Sequence, residues 1–204
     1  VNLDPRIIDS WLAVTAWAGL DRETALGAAN IALSSDPRRL GAWFVRIAGT
    51  SGRPDETAEL VDRFERQFAN SPAALLDMGD MLAGLARSPE DPAARKALEW
   101  TSRIRAERPN LDAAGVTEVR LLTALEQNQR AMSEIDALIA RQPTSPEAHK
   151  LRAELLVHLG SYAEAVAAYD EYLVLAPGDL AARRQQARIE GWRGDTGSAL
   201  ARYE

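Results

Sequence analysis

The chain contains no cysteine and only two histidines, His149 and His158. Without thiols there can be no disulfide, no thiol nucleophile and no thiolate metal site. The two histidines lack the i, i+4 spacing that places a pair of metal ligands on one helical face, so no metal and no cofactor is expected. Long hydrophobic runs are missing too. The longest apolar stretch, Trp11 to Leu20, falls short of the roughly 20 residues that a membrane-spanning helix needs, and no membrane span is expected. Positive charge is scarce: the formal net charge is −6 and the pI about 5.1, whereas nucleic-acid binding leaves a basic footprint. Phosphate-binding and catalytic signatures are absent as well. Gly49-Thr50-Ser51-Gly52-Arg53 has glycines without the spacing or the Lys-Ser/Thr pair of a nucleotide loop, and no local motif marks a nucleophile with its base. The chain is expected not to be an enzyme.

What the chain has is a period. Pro5, Pro37, Pro72, Pro109, Pro143 and Pro177 recur at intervals of 32, 35, 37, 34 and 34 residues. A unit of about 34 residues closed by proline suits two short helices and two turns. Twelve residues before five of these prolines stand Ala25, Leu60, Ala97, Ala131 and Ala165, four of them small enough for two helices to approach closely. One helical turn further along the same face come Ala29, Phe64, Thr101, Ile135 and Tyr169. The first helix of each hairpin carries its own apolar stripe, as in Trp11, Val14, Thr15 and Ala18 or Met78, Met81, Leu82 and Leu85.

These residues give the chain a resemblance to tetratricopeptide-repeat arrays. The best-matching stretch runs from Pro146 to Pro177, where Leu159-Gly160-Ser161-Tyr162, Ala165, Tyr169 and Leu175-Ala176-Pro177 fall at the motif's glycine, tyrosine, alanine, aromatic and proline positions. Trp11 and Trp43 occupy its first-helix aromatic position, replaced later by Met78, Gly115, His149 and Arg183. The resemblance implies an all-α, right-handed superhelical solenoid of antiparallel helix pairs. It covers nearly the whole chain as one array, in units of about 6–37, 38–72, 73–109, 110–143 and 144–177 and a partial unit 178–204. The missing polar cap at the end makes the chain read as part of a longer protein.

The turns fit this register. Ser51-Gly52-Arg53-Pro54 and Gly194-Asp195 divide helices within units, and Ser88-Pro89-Glu90-Asp91-Pro92 is a longer connection that explains the 37-residue interval. Arg193-Gly194-Asp195 spells an adhesion tripeptide, but Gly194 lies 34 residues after Gly160 and so occupies a turn position.

The resemblance places a binding groove on the first helices. Carried onto this register, the groove positions are Leu12, Ala16, Phe44, Val116, Arg120, Lys150, Glu154, Arg184, Arg188 and Trp192. This lining runs from apolar to basic, which suits a protein or peptide partner with acidic character, unless neighbouring carboxylates neutralise the cations. The carboxylate-gripping set of some co-chaperones is missing, because Leu12, Ala16, Phe44 and Ala48 stand where its polar residues belong. The resemblance therefore implies a non-catalytic interaction scaffold. Two alternatives stay open. Residues 187–203 are similar to late repeats of bacterial exopolysaccharide export proteins, which implies a periplasmic scaffold that docks modifying enzymes or guides polymer. The array could also recruit substrate for a catalytic domain elsewhere. Both the periplasm and the cytoplasm of a bacterium are compatible with these residues, with the export resemblance favouring the periplasm.

Overall fold

The computed structural model describes residues 22–50 and 52–192, which form ten α-helices and no strand. The all-α class read from the sequence holds. The chain packs as two compact units, Val1–Arg108 and Pro109–Glu204. The first contains α1 (Arg22–Ser35), α2 (Leu40–Ala48), α3 (Pro54–Phe68), α4 (Pro72–Leu85) and α5 (Pro92–Glu107). The second contains α6 (Asp112–Ala124), α7 (Asn128–Arg141), α8 (Pro146–His158), α9 (Tyr162–Leu175) and α10 (Leu180–Trp192). Within each unit consecutive helices pair as hairpins, α4 with α5, α6 with α7 and α8 with α9, and α6 also lies beside α8.

Local chemistry sets the helix ends. Pro54, Pro72, Pro92 and Pro146 open their helices, where a missing N–H costs nothing. Ser71, Asp91 and Ser145 cap three of these starts, with Asp91 Oδ1 accepting from Ala93 N and Ala94 N at 3.0 Å each. At the other end, α6 and α8 close with the same pair of bonds. Gln127 N donates to Leu122 O and Glu126 N to Thr123 O, as Ser161 N does to Leu156 O and Gly160 N to Val157 O. That motif needs a left-handed residue. Gly160 supplies it at φ 74°, while Glu126, one repeat earlier, adopts it at φ 56° despite its side chain.

The twelve- and eight-residue positions before the prolines are buried throughout, from Ala25 and Ala29 to Ala165 and Tyr169. In the first unit Phe64 is fully buried, with its ring centroid 5.9 Å from Trp43, 4.6 Å from Phe68 and 6.4 Å from Trp100. Burial of such a ring contributes roughly 2–3 kcal/mol. The second unit buries Leu156, Val166, Tyr169, Tyr172 and Ile189 around Ala153, Ala165 and Ala182.

The first-helix aromatic position does not fade as its letters suggest. Trp43 Nε1 donates to Pro37 O at 2.9 Å, His149 Nε2 to Pro143 O at 2.8 Å and Arg183 Nη2 to Pro177 O at 2.8 Å. In each case a side-chain N–H satisfies the carbonyl of the proline six residues earlier. Gly115 has no side chain, and Arg141 Nη1 from α7 reaches Pro109 O at 3.0 Å instead. A Cβ on Gly115 would meet Leu138 Cδ2 at 2.8 Å, so the glycine admits α7 to this corner. Met78 needs no donor, because Pro72 already lies inside α4 and its carbonyl joins the helix ladder.

Candidate functional site

Leu12 and Ala16 lie outside the described residues, as do Trp11 and residues 193–204 with Gly194. Phe44 is half-buried on α2 in the first unit. The other seven sequence-predicted groove residues belong to the second unit, with Val116 and Arg120 on α6, Lys150 and Glu154 on α8, and Arg184, Arg188 and Trp192 on α10.

Two of the four predicted cations are neutralised internally. Arg120 pairs with Glu147, and Lys150 Nζ lies 3.2 Å from Asp179 Oδ2. In both pairs a cation on one first helix meets a carboxylate at the start of the next. Asp179 is the hub of this corner. Its Oδ1 accepts from Ala181 N and Ala182 N at 2.9 Å each, and its Oδ2 accepts from Tyr172 Oη at 2.6 Å. The Tyr172 hydroxyl, the Ala182 amide and Lys150 hold the Asp179 carboxyl far below the usual carboxylate range, against the opposing effect of burial. The same bond, with burial, pushes Tyr172 up to about 12. Lys150 Nζ also stands 5.6 Å from the Tyr172 ring centroid.

The arginines of α10 are arranged differently. Arg184 Nε reaches only the carbonyl of Leu180, one turn back, at 3.3 Å. Arg188 Nη2 donates to Gln185 Oε1, and its guanidinium lies 5.2 Å from the ring centroid of Trp192. Both arginines are exposed and neither meets a carboxylate among the described residues. Trp192 is 54% exposed, and another ring, that of Tyr162, lies 5.7 Å from it.

Glu154 sits between these groups without a hydrogen bond or ion pair among the described residues. Its side chain is exposed. Partial desolvation raises its pKa, with Glu147 and Asp179 adding to the rise and Lys150 and Arg120 opposing it. Tyr169, buried to 3%, likewise makes no hydrogen bond through its hydroxyl among the described residues. Burial first, and then the nearby Glu154 charge, push it up to about 12, while Arg188 pulls the other way.

Tyr169, Tyr172, Glu147 and Asp179 were not among the predicted groove residues. The tyrosines reach this face from second helices, and Asp179 reads in sequence as a helix cap after Pro177-Gly178. Elsewhere, a hollow of about 260 Å³ in the first unit is lined by Ile47, Leu82, Leu85 and Asp91. Among the described residues no group of three or more histidines or carboxylates could hold a metal ion, and no helix is long and apolar enough to cross a membrane.

Comparison with known proteins agrees with this architecture. The tetratricopeptide-repeat profile matches residues 116–179. A tetratricopeptide repeat protein from Parabacteroides merdae superimposes with a TM-score of 0.67 at 14% identity, covering 99% of this chain and 77% of that one. A thermophilic repeat protein of Thermus thermophilus gives 0.60 at 19%, covering 91% and 98%. The fold is of the tetratricopeptide-repeat type. PilW, a widely conserved type IV pilus biogenesis factor, also shares it, with a TM-score of 0.58 at 20% identity over 99% of this chain and 91% of that one. Among curated proteins none matches the chain.

Proposed function

We propose that this chain is a non-catalytic interaction scaffold that binds an extended protein segment along the face formed by α6, α8 and α10. The observation that carries this reading is the contrast within one face. Among the described residues Arg120 and Lys150 have carboxylate partners, whereas Arg184, Arg188 and Glu154 have no ion-pair partner. Arginine is well suited to carboxylate recognition, because its planar fork can offer two parallel donors. An acidic group on the partner would accordingly seat at α10.

The test is selection of linear peptides from a display library against the chain, followed by hydrogen-exchange mapping with each selected peptide. Protection of α6, α8 and α10, together with at least tenfold weaker binding to an Arg184→Glu, Arg188→Glu variant, supports the reading. Protection confined to α7 and α9, or binding unchanged by the double substitution, overturns it.

The exposed Trp192 favours a second reading. An indole face backed by Arg188 and Tyr162 is also a stacking surface for a sugar ring, as a scaffold for exopolysaccharide export would require. Trp192 fluorescence that shifts on titration with acidic oligosaccharides, but not with peptides, would favour it over the first.

A further inference from the structure

A second hollow, of about 400 Å³, opens where α7, α8 and α9 meet, within the size range of small-molecule sites. Its room comes from α9, which sets Ala167 and Ala168 at the wall where longer side chains would fill the space. The buried Leu156 and Ala168 and the half-buried Met132 give it apolar surface. The rest of the lining is charged, with Asp136 from α7, Arg152 from α8, and Glu164 and Glu171 from α9. None of these residues is a groove position, so the hollow stands independently of the peptide-binding face.

Glu171 already has a neighbour, since its Oε2 lies 3.3 Å from His149 Nδ1. Arg152, Asp136 and Glu164 share the hollow yet make no hydrogen bond or ion pair among the described residues. The half-buried guanidinium of Arg152 thus offers a planar fork of donors, which fits a carboxylate. The carboxylates around it suit an organic cation, because they do not converge as metal ligands. A purely anionic ligand would be repelled by three carboxylates and a purely cationic one by Arg152. Arg152 and Leu156 stand one turn apart on α8, about 6 Å along its axis. Glu164, in the first turn of α9, lies across the short connection from the end of α8 that carries Leu156. The order along the hollow is therefore guanidinium, apolar surface, carboxylate. We propose that it binds a basic amino acid with an unbranched side chain, of the lysine type, with the carboxylate on Arg152, the methylenes over Leu156 and the distal ammonium on Glu164.

The test is an amide-shift titration of the nitrogen-labelled chain with L-lysine and with three probes that each lack one group. Norleucine lacks the distal ammonium and cadaverine the carboxylate. Nα-acetyl-lysine, which stands in for a lysine at a chain end, lacks the α-ammonium. Lysine should shift amides of α7, α8 and α9 and bind about tenfold more tightly than norleucine or cadaverine. Arg152→Gln should bring lysine down to the level of cadaverine, and Glu164→Gln to that of norleucine, with circular dichroism verifying that each variant is folded. The acetylated probe separates two sources of the same chemistry. Weaker binding assigns the hollow to the free amino acid, with Asp136 receiving its α-ammonium, and equal binding to a C-terminal lysine. Equal binding of lysine, norleucine and cadaverine, or lysine shifts unchanged by both substitutions, overturns the proposal. So does the absence of shifts on these helices at about 10 mM lysine.

Discussion

Replacing Asp179 by alanine should destabilise the second unit by about 3 kcal/mol. Three losses add up to that figure. The carboxylate caps α10 through Ala181 N and Ala182 N, and losing such a cap costs about 1 kcal/mol. It also accepts from the Tyr172 hydroxyl at 2.6 Å, a charge-assisted bond of roughly 1.5–3 kcal/mol. The pair with Lys150 is partly exposed and adds under about 1 kcal/mol. Asp179→Asn keeps the capping oxygen and loses the charge, so it should cost less than half as much, and Tyr172→Phe about 1.5 kcal/mol. The measurement is urea denaturation of each variant, with exchange of α9 and α10 amides locating the loss. The pH dependence follows in sign. Asp179 has a folded pKa depressed below its unfolded value, so its stabilisation is fully present above the unfolded pKa of about 3.9 and is lost as pH falls through the folded one. Wild type and Asp179→Ala should therefore differ most near neutrality and converge in acid. A loss below about 1 kcal/mol, equal losses for Asn and Ala, or a gap that widens in acid would refute the reasoning.

Glu126 holds a left-handed conformation that Gly160 adopts without strain, so Glu126→Gly should stabilise by about 0.5–1 kcal/mol and Gly160→Ala destabilise by about 1 kcal/mol in thermal melts. Trp43→Phe removes part of a buried indole and leaves the Pro37 carbonyl without its donor, which together should cost about 1–3 kcal/mol in urea unfolding. Glu154 has a raised folded pKa, so its ionised form penalises folding above that pKa and the penalty disappears as pH falls. Glu154→Gln should accordingly raise the melting temperature near neutrality, with the gain vanishing in acid. Tyr172, pushed up to about 12, stabilises fully below its unfolded value of about 10. Wild-type stability should fall more steeply than that of Tyr172→Phe as pH rises past that point.

The hairpins were legible because their signals are local and repeated. Proline at a helix start, a small residue where two helices cross and an apolar stripe each follow from one stretch of chain, and Ala97, Ala131 and Ala165 are fully buried as that logic requires. The proline-carbonyl donors were illegible because tryptophan, histidine and arginine supply the same N–H under different letters, and because at Gly115 the donor comes from Arg141 on another helix. At the candidate groove positions the pairing of the charges was not legible. Whether Arg120 or Lys150 is paired depends on what the next repeat places opposite it. Glu147 lies 27 residues beyond Arg120, and Asp179 lies 29 beyond Lys150. An acidic residue in or just before the first turn of the following first helix is the signal that could have found both pairs.

The central claim is that the α6, α8 and α10 face receives a protein segment, and a crystal structure of the chain with a display-selected peptide tests it most directly. Peptide density running along that face, with a carboxylate at Arg184 or Arg188, is the outcome expected. Density lying instead on α7 and α9, with both arginines untouched, would contradict it.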